Sequence, residues 1–342
     1  MLEVAYCPGR LNIIGDHTDY SGGFSLSMAI DLTTTIKAKE LTQPVITVYS
    51  TETNKRITVS LNDVPFIDFL KQDPTERFIK AAAKLSNLKH GLDLKISSTL
   101  PISSGLSSSA ALSVGLLLVM HYPFNSPLDL AKAAQKTEHL ATGVPCGLLD
   151  QISIVMGKKN HALFIDFSNN EVQPVFIDNS FKFLVIHSGI YRTLENQSYK
   201  QRFEEVQKIQ SIIGPLKDAK LEDLKQISDP QLKKRAKHVI TENNRVKSAI
   251  DALKEKDLFK LGAILNESHV SLSTDFEVSN PEIDDLIAHL NSHPNVLGAR
   301  LTGAGFGGCI VALITQKLEI NYLRNLKHWY LEPSDGATLK TY

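Results

Sequence analysis

The sequence predicts an α+β fold in two domains, and three observations carry that reading. The first fifty residues are largely strand-like, rich in Thr, Val and Ile with polar interruptions. From about Tyr199 to Asn291 the pattern is helical and charged, and the chain then returns to strand-like runs around a glycine-rich turn. This is not the regular β-α-β alternation of a doubly wound sheet. A length of 342 residues suits two hydrophobic cores better than one. The expected division is residues 1–170 and 171–342, with the boundary somewhere in 165–180.

Taken in order, Ile30 to Lys39, Val45 to Ser50 and Asp93 to Ser98 read as strands. Ala110 to Met120 is apolar on nearly all sides, which predicts a helix buried all round. Ser126 can cap the next helix, Pro127 suits its first turn, Asp129 adds a favourable charge there, and Gly143 ends it. Ala162 to Phe167 and Phe183 to Ser188 read as strands. Arg202 to Ile213 and Lys234 to Lys254 read as helices, and Asn280-Pro281 starts another. Gly298 to Leu301 and Cys309 to Thr315 close the pattern as strands.

Lys plus Arg and Asp plus Glu number 37 each, so nucleic-acid or anionic-membrane binding has no global electrostatic support. The longest apolar run is about half of what a spanning helix needs. Three cysteines, Cys7, Cys146 and Cys309, match no zinc spacing and suit a reducing compartment. With no secretory pattern visible at the start, a cytoplasmic protein is expected.

Five segments carry candidate chemistry. Pro101 to Ala111 packs five serines and a glycine just before the buried helix. A helix start offers unpaired N–H groups and partial positive charge, small residues admit a phosphate, and serine hydroxyls can ligate Mg²⁺. An ordinary capping serine would fit the same composition. No Walker A pattern occurs, so any nucleotide site here is of another type. Glu138 shares a helix face with Ala131, Ala134 and Ala141, where a carboxylate is costly unless it meets a cation or the face is exposed. Asp150 follows a tight Gly/Pro segment, as a buried base or as a helix cap. Pro8 to Gly23 packs Arg10, Asp16, His17 and Asp19 among glycines, a set able to grip a polyol; an Asx-rich turn or, more awkwardly, a metal site are the rivals. Leu301 to Cys309 is a glycine-rich turn leading into a strand and not a helix, which argues against a dinucleotide site. Its functional version packs closely against the phosphate loop.

Together these segments resemble the galactokinases of the GHMP kinase superfamily, in order and from Pro8 to Gly336. The run Gly9-Arg-Leu-Asn-Ile-Ile-Gly-Asp-His-Thr-Asp-Tyr is the most specific. Leu106-Ser-Ser-Ser-Ala resembles the superfamily phosphate loop, Cys146-Gly-Leu-Leu-Asp-Gln the segment carrying the catalytic Asp, and Thr302-Gly-Ala-Gly-Phe-Gly-Gly the third motif. Ile240-Thr-Glu-Asn-Asn-Arg and Glu267-Ser-His are similar to galactokinase segments too.

The resemblance implies a two-domain GHMP-kinase fold of mixed sheets and helices with the active site in the cleft, and a monomer phosphorylating O1 of galactose with ATP and Mg²⁺. It implies Asp150 as proton acceptor, with Arg10 stabilising the transition state and keeping that carboxylate charged. Ser103, Ser104, Gly105, Leu106, Ser107, Ser108 and Ser109 would hold the ATP phosphates, and Ser109 and Glu138 the Mg²⁺. Asp16, His17, Thr18, Asp19, Gly147 and Tyr199 would bind the sugar. Three departures from the family pattern stand out: Asp16 replaces the usual Glu near the C6 end of the sugar, Ser103-Ser104 replace Gly-Ala or Gly-Gly, and Ser27 replaces a proline. Asp16 keeps open a sister kinase for galacturonate or N-acetylgalactosamine, although a carboxylate is a poor partner for a C6 carboxylate. A non-catalytic galactose sensor is a second rival. A mevalonate- or homoserine-type kinase is disfavoured by the His-Thr-Asp-Tyr run.

Overall fold

A computed structural model describes residues 1–64, 72–101, 105–190, 195–323 and 326–342. Its first sheet is built by β1 (Glu3–Ile14), β2 (Phe24–Leu41), β3 (Val45–Ser50), β4 (Lys55–Ser60), β5 (Gly91–Ser98), β6 (His161–Asp166) and β7 (Glu171–Phe176). Its helices are α1 (Pro74–Leu85), α2 (Ser108–Val119), α3 (Pro127–Thr142) and α4 (Leu149–Met156). A second sheet holds β8 (Lys182–His187), β9 (Val296–Thr302), β10 (Cys309–Ile314) and β11 (His328–Leu331). With it go α5 (Glu195–Ile213), α6 (Pro230–Glu255), α7 (Leu258–Thr274) and α8 (Pro281–Asn291). The last strand, β12 (Thr338–Thr341), returns to the first sheet and pairs with β1.

The first sheet runs β12-β1-β2-β5-β3-β4, and β6 and β7 branch from the start of β2. Among the described strands only β3 and β5 pair in parallel; the second sheet, β11-β8-β10-β9, is antiparallel. The register between β1 and β2 slips between Pro8 and Arg10 and again between Asn12 and Ile14. Such bulges bend a strand and re-aim its side chains, and these two bracket Arg10 and Asn12.

The helix predictions rested on end signals, and those signals work as written. Ser126 and Asp129 form a reciprocal capping box, Pro127 sits at the first position, and Gly143 ends α3 in the left-handed region at φ 72°. Helix α2 is buried from Ala110 onward save Leu112, and even Ser113 and Gly115 have no exposed face. It rests on β1, β2, α1, α3 and α4 in the larger core. A second core joins Leu184, Ile186, Val239, Leu272, Phe276 and Ile310 between the second sheet and its helices. The strand expected over Ile30 to Lys39 is longer, because its first residues pair with β6 and its last with β5. Ser27, in place of the family's proline, pairs across to β6 and bonds Ser153 of α4 at 2.5 Å. No described helix is long and apolar enough to cross a membrane.

Candidate active site

The bulged part of β1 lies beside the loop that opens α2. Gly9 is what allows it: a Cβ there would stand 2.3 Å from Leu100 Cδ2 and 2.7 Å from the Leu106 carbonyl oxygen. The Arg10 amide donates to that carbonyl at 3.2 Å, and the Arg10 guanidinium also reaches the Gly105 carbonyl through Nη1. The rest of the guanidinium faces Asp150. Nε donates to Asp150 Oδ1 at 2.7 Å, and Nη2 lies 2.7 Å from the same oxygen. The other carboxylate oxygen, Oδ2, accepts the Ser107 hydroxyl at 2.5 Å. Asp150 is therefore no helix cap: it sits in the first turn of α4, whose N-cap is Leu148. Ser107 is the N-cap of α2, held in the left-handed region at φ 66° with no side-chain cap bond. That turn sends its hydroxyl to Asp150 and leaves the helix amides open to an anion.

One turn into the same cavity, Glu138 stands on the face predicted for it. Ala131, Ala134 and Ala141 are fully buried on that face. Glu138 Oε1 accepts the Ser109 hydroxyl and Oε2 the Gln151 amide, each at 2.5 Å. Burial pushes the Glu138 carboxyl up to about 7, with the charge of Asp150 adding to it, against the pull of the Ser109 and Gln151 hydrogen bonds. A hydroxyl and a charge-starved carboxylate are hard oxygen donors of the kind a small divalent cation accepts while keeping most of its waters.

The loop after β1 forms the opposite wall. Asp16, His17, Asp19 and Tyr20 line the cavity with Arg10, Glu138, Gly147, Asp150, Tyr199 and the turn from Gly303 to Phe306; its volume is about 260 Å³. The ring of His17 packs on Phe276 at 4.5 Å and lies 6.0 Å from Tyr199, and its Nδ1 is 2.9 Å from the Tyr20 hydroxyl. Thr18 is placed differently. It is fully buried, and its hydroxyl serves the backbone carbonyls of Gly15 and Phe24, so it shapes the loop from within. Ser103 and Ser104 lie outside the described residues; Gly105, Leu106, Ser107, Ser108 and Ser109 are all brought to the helix mouth.

The segments flagged around Glu242 and Ser268 clasp this loop from behind. Buried Glu242 accepts the Gly15 amide at 3.0 Å and the Ser268 hydroxyl at 2.8 Å, and pairs with Arg245 at 2.7 Å. Burial pushes its carboxyl up, but the charges of Arg245 and His238 outweigh that and hold it below its ordinary value. Asn243 accepts the Phe24 amide at 2.9 Å. Among the described residues, the third motif bonds the loop after β1, from Thr302 to the Asn12 carbonyl and from Gly303 N to Asp16, and its turn is tied further on by Phe306 N to Val278 and Gly308 N to Ile190. Strand β9 packs beside β1, which brings the turn to the cavity wall.

Residues 76–158 match the GHMP kinases N terminal domain, residues 249–330 the GHMP kinases C terminal domain, and residues 3–40 the galactokinase galactose-binding signature. A galactokinase of Clostridium acetobutylicum is 33% identical over 351 residues, covering 96% of this chain and 90% of its own. The chain belongs to the galactokinase family. The crystal structure of Lactococcus lactis galactokinase complexed with galactose superposes with a TM-score of 0.89 at 30% identity, over 98% of this chain and 95% of that one. Methanococcus jannaschii mevalonate kinase shares the fold, with a TM-score of 0.72 at 23% identity over 97% and 98% of the two chains.

The sequence assigned no role to Asn12, Gln151, Phe306 or Arg300, which line or brace the cavity, although Phe306 stands in a quoted motif. Gln151 and Asn12 stand inside quoted motifs, so their polarity amid apolar neighbours was the available signal. Cys146 also faces the cavity, where burial and the charges of Glu138, Asp150 and Asp19 push its thiol well up, which disfavours the thiolate.

Asp19 yields a stability prediction. Burial, then the charge of Asp150, push its carboxyl from 3.8 up to about 6. The folded protein thus holds this proton more tightly than the unfolded chain, and the stability it contributes declines as pH rises from about 4 to 6. Asp19→Asn removes a burden that is full at pH 8 and nearly absent at pH 4. The variant is expected to be more stable than the parent by about 1–3 kcal/mol at pH 8, the gap closing toward pH 4. Urea unfolding at both pH values measures it; a variant weaker than the parent at pH 8 refutes the assignment.

Proposed function

We propose that this chain transfers the γ-phosphoryl group of ATP to O1 of galactose, giving galactose 1-phosphate and ADP. One observation carries the reading: the Asp150 carboxylate, with Arg10 on one oxygen and Ser107 on the other, stands where the open start of α2 meets the galactose-signature residues. Both Arg10 contacts fall on Oδ1. Oδ2 is thus the oxygen left to take the O1 proton, once the Ser107 hydroxyl turns aside. Arg10 bridges Asp150 and the Gly105 carbonyl, so one guanidinium balances the base and anchors the loop that would cradle the phosphates. In-line transfer asks for little beyond this positioning and charge balance. His17, Asp19, Gly147 and Tyr199 would hold the sugar against Asp150.

Ser109 and Glu138 would hold Mg²⁺, which would supply charge neutralisation to the nucleotide. The protein would act as a monomer in the cytoplasm, where the ATP that the reaction needs is supplied.

A panel of galactose, galactosamine, N-acetylgalactosamine, galacturonate, arabinose and glucose with ATP–Mg²⁺, read by ADP release, tests this. Galactose is expected to be turned over best, and galacturonate poorly because the Asp19 carboxylate on the cavity wall repels its acid group. Binding of galactose and ATP with no ADP formed would make the protein a sensor instead.

A further inference from the structure

Arg300 was no candidate, yet its guanidinium is fully buried beside the site. It stands on β9 with no exposed surface. Its Nη1 donates to the Ile13 carbonyl at 2.8 Å, and its Nη2 pairs with Asp16 Oδ2. The second oxygen of Asp16 accepts Asn12 Nδ2 at 2.7 Å and the Gly303 amide at 3.2 Å. Thr302 adds a bond to the Asn12 carbonyl at 2.9 Å. Three protein donors therefore occupy the Asp16 carboxylate, which is itself 4% exposed. Two of them, Arg300 and Gly303, come from the strand and turn across the cleft. The turn they hold, Gly303 to Phe306, supplies cavity wall, and its far end is tied by Phe306 N to the Val278 carbonyl at 2.7 Å. The shorter arm of Asp at this position suits a carboxylate drawn back onto Arg300.

We propose that Arg300 is a positioning residue: paired with Asp16 it fixes the Gly303–Phe306 turn against the sugar-side loop, and Asp16 acts on the substrate through that turn and not by touching it. The idea rests on the galactokinase reading of the cavity. A buried guanidinium or carboxylate left without its partner is severely destabilising, whereas neutral side chains replacing both are often tolerated. The pair thus has a signature that a substrate contact lacks.

Three variants test it: Arg300→Met, Asp16→Asn and the double replacement. Each single change is expected to lower the melting temperature by about 5 °C or more and kcat/KM for galactose by roughly tenfold or more. The double variant is expected to regain most of both losses. Galactose and its 2-, 3-, 4- and 6-deoxy forms then separate the two roles for Asp16. A positioning role lowers kcat/KM for all five sugars by one common factor. A direct contact shows as a loss that disappears on the one sugar lacking the contacted hydroxyl, and that result overturns the proposal. If the single variants do not fold, a folded double variant supports the pairing, and a double no better than the worse single defeats it. Failure of the underlying reading looks different: the unaltered protein then turns over none of the five sugars.

Discussion

Asp150→Asn is expected to lower kcat for galactose phosphorylation by about 10³-fold or more while leaving galactose affinity within a few-fold. The substitution keeps the shape. An amide oxygen in place of Oδ1 can still accept from Arg10 Nε and Nη2, both now at 2.7 Å. What disappears is the acceptor on the Ser107 side: an NH₂ group can donate to the serine hydroxyl but cannot take a proton from O1. The change also leaves the Arg10 guanidinium, 7% exposed, with no carboxylate in reach of its Nε. The helix mouth and the sugar-side residues keep their places, because among the described residues only Arg10 and Ser107 hydrogen-bond the Asp150 carboxylate. Equilibrium dialysis with labelled galactose measures the retained binding, and ADP release measures the lost transfer. Near-parental turnover would remove Asp150 from the chemistry and leave the Arg10 pair as a structural tie.

How much of this was legible in the sequence depends on how local the signal is. Helix ends were, since Ser126, Asp129 and Gly143 act within one turn of each other. So was the all-round burial of α2, which needs only composition. Helix α1 had readable signals that went unused: Asp73 caps it, and Pro74 fills its first position. The strand β12 was not legible, because four residues of which three are exposed carry no pattern until β1 offers an edge to pair with. The site divides the same way. Arg10, Asp150 and Ser109 stand in the family motifs and Glu138 was read from helix-face spacing, and the structure brings them together. Arg300 was not legible, because its meaning lies in a partner hundreds of residues away, Ile13; Glu242 stands inside a quoted segment, but the bond that gives it its place, to Gly15, is as distant. Ser107 is intermediate. Its place at the helix mouth follows from sequence, but its hydroxyl on Asp150 follows from a positive φ that no serine announces.

Gly147→Ala is expected to lower kcat/KM for galactose by about 10²-fold, mostly through KM, with little change in melting temperature. A Cβ at this glycine would stand 1.6 Å from Asp19 Oδ2 and 2.2 Å from its Cγ. No rotation of the alanine relieves that overlap, because a methyl has no alternative direction to take. The Asp19 carboxylate must move instead, and it is short and held by the backbone amides of Asp19 and Tyr20. It would leave the wall of the cavity that it shares with Gly147 and Asp150. The fold tolerates this, since the clash falls on a cavity-lining side chain and not on the packed core. Loss of function is thus routed through Asp19 alone, and that claim can be checked by non-additivity. Asp19→Ala and Gly147→Ala/Asp19→Ala should fall to the same level, because the alanine at 147 has nothing left to displace once the carboxylate is gone. Steady-state kinetics with varied galactose on the three variants decides it. A double variant much worse than Asp19→Ala would mean that the added methyl blocks the sugar itself, and a fully active Gly147→Ala would mean that the Asp19 carboxylate has no fixed post to defend.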